Sequence, residues 1–128
     1  MLNRYLLPIS GLLGICGIGL GAFGAHGLHD RLAAANMVST WETAVLYHLA
    51  HTLALLAVAL WATGDEPRTR WLGRAAGCWV IGVVLFSGSL YSLALGGPRW
   101  LGPVTPLGGL AFIVGWAMLF PAGGKADR

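Results

Sequence analysis

The sequence predicts an all-α integral membrane protein, a single bundle of four transmembrane helices. Only 10% of its 128 residues are charged and 56% are hydrophobic, whereas a soluble domain carries about 25% charged residues. Four runs contain no Asp, Glu, Lys or Arg: residues 5–29, 43–64, 75–98 and 100–124. Each run is at least as long as the roughly 20 apolar residues that cross a hydrocarbon core of about 30 Å. The predicted spans are about 6–27, 40–62, 71–95 and 102–121, in one domain over residues 1–128.

The basic residues are distributed unevenly among the connections between these spans. If both termini are cytoplasmic, six Lys and Arg lie inside and only two, Arg31 and Arg99, lie outside. The positive-inside rule therefore predicts cytoplasmic termini and outward-facing first and third connections. This topology also accounts for the net charge of +3 without a nucleic-acid partner, so we expect the lipid bilayer to be the main partner. The first apolar run exceeds the h-region of a cleavable signal peptide and is expected to remain as a span.

The first predicted helix, from about Pro8 to Gly24 or beyond, is rich in glycine. Small residues let membrane helices approach closely, and Gly17-x-x-x-Gly21 has the spacing of a packing motif. The helix ends near His26, at the predicted outer surface. Beyond it, apolar residues at helical spacing predict a short interfacial helix between the first two spans.

Ser39 and Glu42 precede the second apolar run at the spacing of a capping box. In that motif each side chain bonds the other residue's free main-chain N–H, so Glu42 is given a structural role. Trp41 fits the aromatic belt at the membrane surface.

The outer half of the second predicted helix carries Tyr47, His48, His51 and Thr52. At about 100° per residue, His48 and His51 lie about 60° apart on the helix surface, and Thr52 lies about 40° from His48. The sequence therefore predicts one polar face there, whereas the inner half of the helix is apolar.

Pro67, which follows two acidic residues, is a helix-start signal. The third predicted helix opens with Arg70, Trp71 and Arg74 and ends in a cluster of hydroxyls. Gly73-x-x-x-Gly77 is a second packing motif. In the fourth helix, Thr105 and Pro106 form an N-cap and first-turn pair. A helix from there to the residue before Pro121 would have 15 residues, about 22 Å, which is short of a crossing. We therefore expect residues 100–104 to dip into the outer half as irregular backbone.

Polar side chains from all four predicted helices converge in the outer half of the bundle. The candidate pocket residues are His26, Trp41, Tyr47, His48, His51, Thr52, Ser87, Ser89, Tyr91 and Thr105. Ionisable groups within a membrane segment are costly unless they are paired, and they suggest function by default.

Three interpretations of this cluster compete. His26, His48 and His51, with His29 or Glu42 as a further ligand, can bind zinc or copper through imidazole nitrogens. Alternatively, the cluster is a pocket for a quinone or a lipid headgroup, which would suit a membrane enzyme or carrier. The third interpretation is structural: the side chains bond one another across helices, at about 1 kcal/mol each. We favour this structural or binding role within a membrane assembly, together with a membrane-protein partner or self-association. The sequence contains no recognisable nucleophile–base pair, so catalytic residues are not assigned.

Four ordered motifs give the chain a resemblance to a known family. They are Gly21 to Leu28 (GAFGAHGL), Trp41 to His48 with His51, Phe86 to Tyr91 (FSGSLY), and Trp100-Leu101-Gly102 with Thr105 to Gly109. In these motifs the chain resembles the DUF423 family of small multi-pass membrane proteins, which includes bacterial inner-membrane members and the animal transmembrane protein 256 group. The resemblance implies an integral protein of the bacterial inner membrane. It implies no activity, cofactor or catalytic residue, and His29 lies outside its motifs.

Overall fold

The computed structural model of the chain describes residues 3–62 and 67–123. In these ranges, four helices are long and apolar enough to cross a membrane: Arg4–Ala25, Val38–Trp61, Pro67–Ala94 and Arg99–Ala122. We call them the first to fourth spans. The described residues contain no strand. The predicted all-α, four-span fold is therefore confirmed.

The first span belongs to a helix that runs Asn3–Ala25, and a short helix, His29–Ala34, follows it. This connecting helix confirms the predicted turn or two of helix between the first two spans. Asn36 then adopts a φ of 56°, in the left-handed region that asparagine tolerates better than most residues. The resulting turn leads directly into the second span.

The predicted capping box at the start of the second span is wrong. The helix begins at Val38, Met37 occupies the N-cap, and no side chain caps it. The helix begins before Ser39, the predicted N-cap, because the carbonyl of Met37 already accepts a helical hydrogen bond. The donor is the N–H of Trp41, at 3.0 Å. Ser39 and Glu42 therefore lie on the outside of the first turns, and both are exposed.

The third span starts at Pro67, four residues before the predicted span, and it is not a uniform α-helix. It consists of an α-helix Pro67–Gly82, a π-helical turn Val83–Ser87 and a second α-helix Gly88–Ala94. A π turn inserts one extra residue into the helical ladder and so rotates everything beyond it. The turn includes Ser87, the first residue of the hydroxyl cluster, and rotates Ser89 and Tyr91 beyond it.

The fourth span consists of a 3-10 turn Arg99–Leu101, a helix Val104–Ala117 and a short helix Leu119–Ala122. Residues 100–104, which were predicted to be irregular backbone, are therefore mostly in helical turns. The span is also longer than predicted. The predicted N-cap role of Thr105 is wrong: Pro103 occupies the N-cap, Thr105 lies in the first turn, and its hydroxyl contacts Ser89 on the third span. The helix also does not stop before Pro121. It breaks at Met118, so that Pro121 falls in the first turn of a new helix, where its missing N–H has no helical partner to lose.

Glycines bring the first span onto the second. A Cβ added at Gly17 would overlap Leu49, and one added at Gly24 would overlap the indole of Trp41. Gly14 and Gly21 face the same helix, so the predicted packing role of this glycine face is confirmed. In the third span, by contrast, a Cβ at Gly77 would meet nothing within 4 Å, and the second predicted packing motif is wrong at that position.

The third and fourth spans approach closely at three glycines, which we call glycine notches: two receive an aromatic ring and one receives the main chain of Phe86. A Cβ at each notch would overlap the opposing side chain or main chain. The three pairs are Gly82 with Phe112, Gly108 with Phe86, and Gly115 with Trp79. Because both helices supply rings and notches, this interface fixes their register along the membrane normal.

The second and third spans lie at the centre of the molecule. The first span packs mainly on the second, and the fourth mainly on the third. The two outer spans bury a smaller share of their apolar residues than the central pair does. Their remaining apolar surface, including Leu12, Ile15 and Phe120, suits contact with lipid.

Candidate functional site

The first and third connections meet at one end of the bundle, which we call the connection end. Arg31 of the connecting helix donates from a guanidinium nitrogen to the main-chain carbonyl of Leu95 at 2.9 Å. Leu95 follows the third span, where carbonyls lack helical partners. The bond therefore ties the first connection to the C-terminal end of a span that is 64 residues away in sequence.

His51 links the second span to the fourth. Its Nδ1 lies 2.7 Å from the carbonyl of Tyr47 and therefore donates. Its Nε2 accepts the indole N–H of Trp116 at 3.1 Å. The imidazole also stacks on Phe112, with ring centroids 3.6 Å apart. Both nitrogens are thus engaged within the protein, and the ring is held as the neutral Nδ1–H tautomer.

His48 links the second span to the third. Its Nδ1 lies 3.2 Å from the hydroxyl of Tyr91. Its Nε2 is buried and has no hydrogen-bond partner among the described residues. A Cβ at Gly17 would crowd the same imidazole, so this glycine allows the first span to close over the ring.

The contacts of His51 place its proton on Nδ1. The ring is neutral in this arrangement, which suits a low-dielectric interior.

Two serines at the end of the third span bond different neighbours. Ser87, which is fully buried, donates to the carbonyl of Ala44 on the second span at 2.8 Å. The hydroxyl of Ser89 lies 2.6 Å from that of Thr105 on the fourth span and donates to the carbonyl of Phe86 at 2.9 Å. This pair of hydroxyls joins the third span to the fourth, and the Thr105 hydroxyl also lies 3.5 Å from the carbonyl of Leu101 in its own span.

Trp41 links the second span to the first. Its indole N–H donates to the main-chain carbonyl of Leu20 at 2.9 Å. The glycine at position 24 leaves room for the ring at that place. The indole also packs against Tyr91, with centroids 4.8 Å apart, so the link to the first span adjoins the link to the third.

The remaining two candidates on the second span have local roles. The Thr52 hydroxyl donates to the carbonyl of His48 in its own helix at 2.8 Å. The Tyr47 ring packs against Phe86 and Phe112, with centroids 4.7 Å and 6.0 Å apart, and is 41% exposed. We call the linking side chains the polar network; they are Trp41, His48, His51, Ser87, Ser89, Tyr91, Thr105 and Trp116.

His26 does not join the polar network. It lies just beyond the first helix and is exposed, in contrast to the buried His48 and His51. No three His, Cys, Asp or Glu side chains within residues 3–62 and 67–123 form a group that could hold a metal ion. His29 pairs with Asp30 at 3.7 Å on the exposed connecting helix. This arrangement gives no support to a zinc or copper site built from His26, His48 and His51.

Among the grooves on the sides of the described bundle, two have volumes of about 550 Å³. One lies between the second and fourth spans and has aromatic walls. It is lined by Tyr47, His51, Phe86, Pro106, Gly109, Leu110, Phe112, Ile113 and Trp116. The other lies between the first and second spans below the connecting helix.

Sequence reasoning missed Trp116, which satisfies the second nitrogen of His51. Trp116 lies in an apolar run, where a tryptophan is normally interpreted as a hydrophobic residue, so the sequence did not indicate its hydrogen bond. Arg31 was counted only for topology, whereas it also bonds Leu95.

Comparison with known proteins identifies relatives along nearly the whole chain. A family described as a protein of unknown function (DUF423) matches residues 20–109. The chain is 40% identical to the UPF0382 membrane protein YwdK of Bacillus subtilis over 95% of this chain and 98% of the relative. It is 41% identical to a UPF0382 membrane protein of Haemophilus influenzae, over 93% and 92%. A UPF0382 membrane protein of Schizosaccharomyces pombe is 38% identical, over 87% and 94%. No solved structure matches the chain.

Proposed function

Because the chain belongs to the DUF423 family of membrane proteins, we propose that it is a structural or binding component of a larger membrane assembly. In this proposal the polar network holds the four spans together and carries out no reaction. Side-chain hydrogen bonds between membrane helices commonly serve this purpose. A membrane-protein partner or a second copy of the chain would complete the assembly.

The observation that carries this proposal is the saturation of His51. A histidine that binds a metal or transfers protons needs a ring nitrogen free for the ligand or proton. In His51, Tyr47 and Trp116 take up both nitrogens. The hydroxyls of Ser87 and Ser89 are likewise used between spans.

We further propose the bacterial inner membrane as the location, with both termini cytoplasmic. Two arginines at the end opposite the connection end lie over tryptophan rings: Arg68 over Trp61 at 5.3 Å and Arg74 over Trp71 at 4.9 Å. Tryptophan is enriched at membrane interfaces and basic residues on the cytoplasmic side. These pairs therefore support a cytoplasmic surface at that end.

The experiment that tests the structural proposal compares His48→Ala with His26→Ala in purified full-length protein. Metal content is measured by elemental analysis, and stability by thermal unfolding. We expect no stoichiometric zinc or copper in the wild type, a lower unfolding temperature for His48→Ala and an unchanged one for exposed His26→Ala. A stoichiometric metal that both substitutions remove would overturn the proposal.

A second candidate function is binding of a flat apolar ligand such as a quinone. The aromatic groove between the second and fourth spans favours it, because ligand pockets of about 300–1,000 Å³ are typically lined by apolar and aromatic side chains with few polar groups. Tyr47 would supply the polar contact there, because both ring nitrogens of His51 are already engaged. Retention of added ubiquinone by the wild type, and its loss in Tyr47→Leu, would support this candidate; equal retention by both would contradict it.

A further inference from the structure

The groove between the first and second spans, which we call the lateral groove, has an almost wholly apolar lining with a polar mouth. Its volume is about 550 Å³. Gly21 and Gly24 of the first span and Val45, Leu49 and Leu53 of the second line its length. Glu42 and His29 lie at the end next to the connecting helix. The groove is thus amphipathic along its axis.

The length of the lateral groove matches one leaflet of a bilayer. Glu42 and Leu53 are 11 residues apart on one helix, which corresponds to about 16 Å at 1.5 Å per residue. A hydrocarbon core is about 30 Å thick, so one leaflet contributes about 15 Å. The groove therefore reaches from the membrane surface at Glu42 to the midplane near Leu53.

The groove faces the lipid and not the interior of the bundle. Leu46 and Leu53 lie along it and are 65% and 66% exposed. On the side of the groove formed by the first span, the glycines have no side chains, so this side is shallow and open to the surroundings. In a membrane, such an apolar surface is in contact with acyl chains.

Glu42 has no role inside the described part of the chain. The capping box that would have used it does not form. The carboxylate is exposed, and no hydrogen bond or ion pair joins it to another residue of ranges 3–62 and 67–123. Arg31, the basic residue of the connecting helix, donates to Leu95. Because Glu42 lies at the membrane surface and has no partner in the described ranges, a cationic group among the lipid headgroups is its complementary group.

We propose that the lateral groove binds a phospholipid with a primary ammonium headgroup, such as phosphatidylethanolamine. One acyl chain lies along the groove, and the ammonium donates to the Glu42 carboxylate. A primary ammonium has three N–H donors, as lysine does, whereas the quaternary ammonium of a choline headgroup has none. This charge-assisted bond provides selectivity between two headgroups of equal charge. The proposal goes beyond the structural role of the polar network, which shares only Trp41 with this groove.

The test measures lipid binding by native mass spectrometry of the full-length protein, with phosphatidylethanolamine and phosphatidylcholine of identical acyl chains. We expect a preference of about threefold for phosphatidylethanolamine in the wild type, the size typical of a partly solvated ion pair. Glu42→Gln should abolish the preference and retain binding through the acyl chain. Asp30→Asn is the matched control, because it removes an exposed carboxylate at the same end that does not line the groove; it should keep the preference.

A second pair of variants tests the position of the acyl chain. Ala50 lines the groove, whereas Ala57 is exposed elsewhere on the same helix. Ala50→Phe should reduce binding of both lipids, and Ala57→Phe should leave it unchanged. Equal affinity of the wild type for both headgroups, or unaltered binding by Ala50→Phe, would overturn the proposal. These lipid-binding results do not depend on metal content or on the stability of the polar network. Failure of the lipid proposal can therefore be distinguished from failure of the proposed structural function.

Discussion

At the scale of single residues, the polar side chains of this protein are distinguished by what they bond. His51 bonds the fourth span, His48 the third, and Trp41 the first. An unpaired polar group in an apolar environment costs several kcal/mol, so each bond both satisfies a buried atom and selects a neighbouring helix. Specific pairing of helices follows from these few contacts.

Ser87→Ala tests one such contact. Ser87 is fully buried and donates to the main chain of Ala44. We expect the free energy of unfolding to fall by about 0.6–1.7 kcal/mol, the range found for hydrogen bonds between membrane helices. Unfolding in bicelles, followed by tryptophan fluorescence, measures it.

Ser39→Ala is the control for this substitution. Ser39 is exposed and caps no helix. The free energy of unfolding of Ser39→Ala should therefore equal that of the wild type. If Ser39→Ala lowered stability as much as Ser87→Ala, both the absence of the capping box and the special role of Ser87 would be contradicted.

The polar residues themselves could be predicted from the sequence, but their partners could not. His48, His51 and Ser87 stand out because polar side chains are rare in apolar runs. Their partners include main-chain carbonyls and Trp116, which no composition or spacing marks. The expected convergence of His26 depended on helix 1 continuing past Ala25, whereas the helix ends there and the side chain is exposed.

At the scale of elements, the spans follow directly from the runs without charge. Hydrophobicity and length determine which segments cross a bilayer, and the four helices agree with the four runs. The π turn at Val83–Ser87 could not be predicted. Its formation depends on how the third span packs between the second and the fourth, and this information is not local in sequence.

Two adjacent glycines provide a sharp test of the packing between the third and fourth spans. A Cβ at Gly108 would overlap the main chain of Phe86, whereas one at Gly109 would make an ordinary contact of 3.8 Å with the ring of that residue. Gly108→Ala should therefore force the helices apart and lower the unfolding free energy by about 1–3 kcal/mol, as overpacking does. Gly109→Ala should be close to neutral in the same unfolding assay. Equal effects of the two substitutions would mean that the helices do not approach at Gly108.

At the scale of the whole molecule, two well-packed pairs of spans meet through the central second and third spans. The glycine notches join the third and fourth, and the glycine face joins the first and second. The polar network crosses between these pairs, since Ser87 and Tyr91 of the third span bond the second. We therefore expect the four spans to unfold cooperatively.

The proposed orientation predicts which end is accessible from outside the cell. Asp30→Cys, on the exposed connecting helix, should react with a membrane-impermeant maleimide in intact cells. A fluorescent protein fused to the C-terminus should fluoresce, because that terminus would be cytoplasmic. The wild type, with its two native cysteines within the spans, is the labelling control. If Asp30→Cys reacted only after cell lysis, the connecting helix would lie on the cytoplasmic side and the proposed orientation would be contradicted.

The central claim is that buried polar side chains join the spans, and a double-mutant cycle between His51 and Trp116 tests it most directly. The unfolding free energies of the wild type, His51→Ala, Trp116→Phe and the double variant are measured in bicelles, and the interaction energy is obtained from their differences. The account predicts a favourable interaction of about 0.6–1.7 kcal/mol for the bond between Nε2 and the indole N–H. Strictly additive effects of the two substitutions would contradict it.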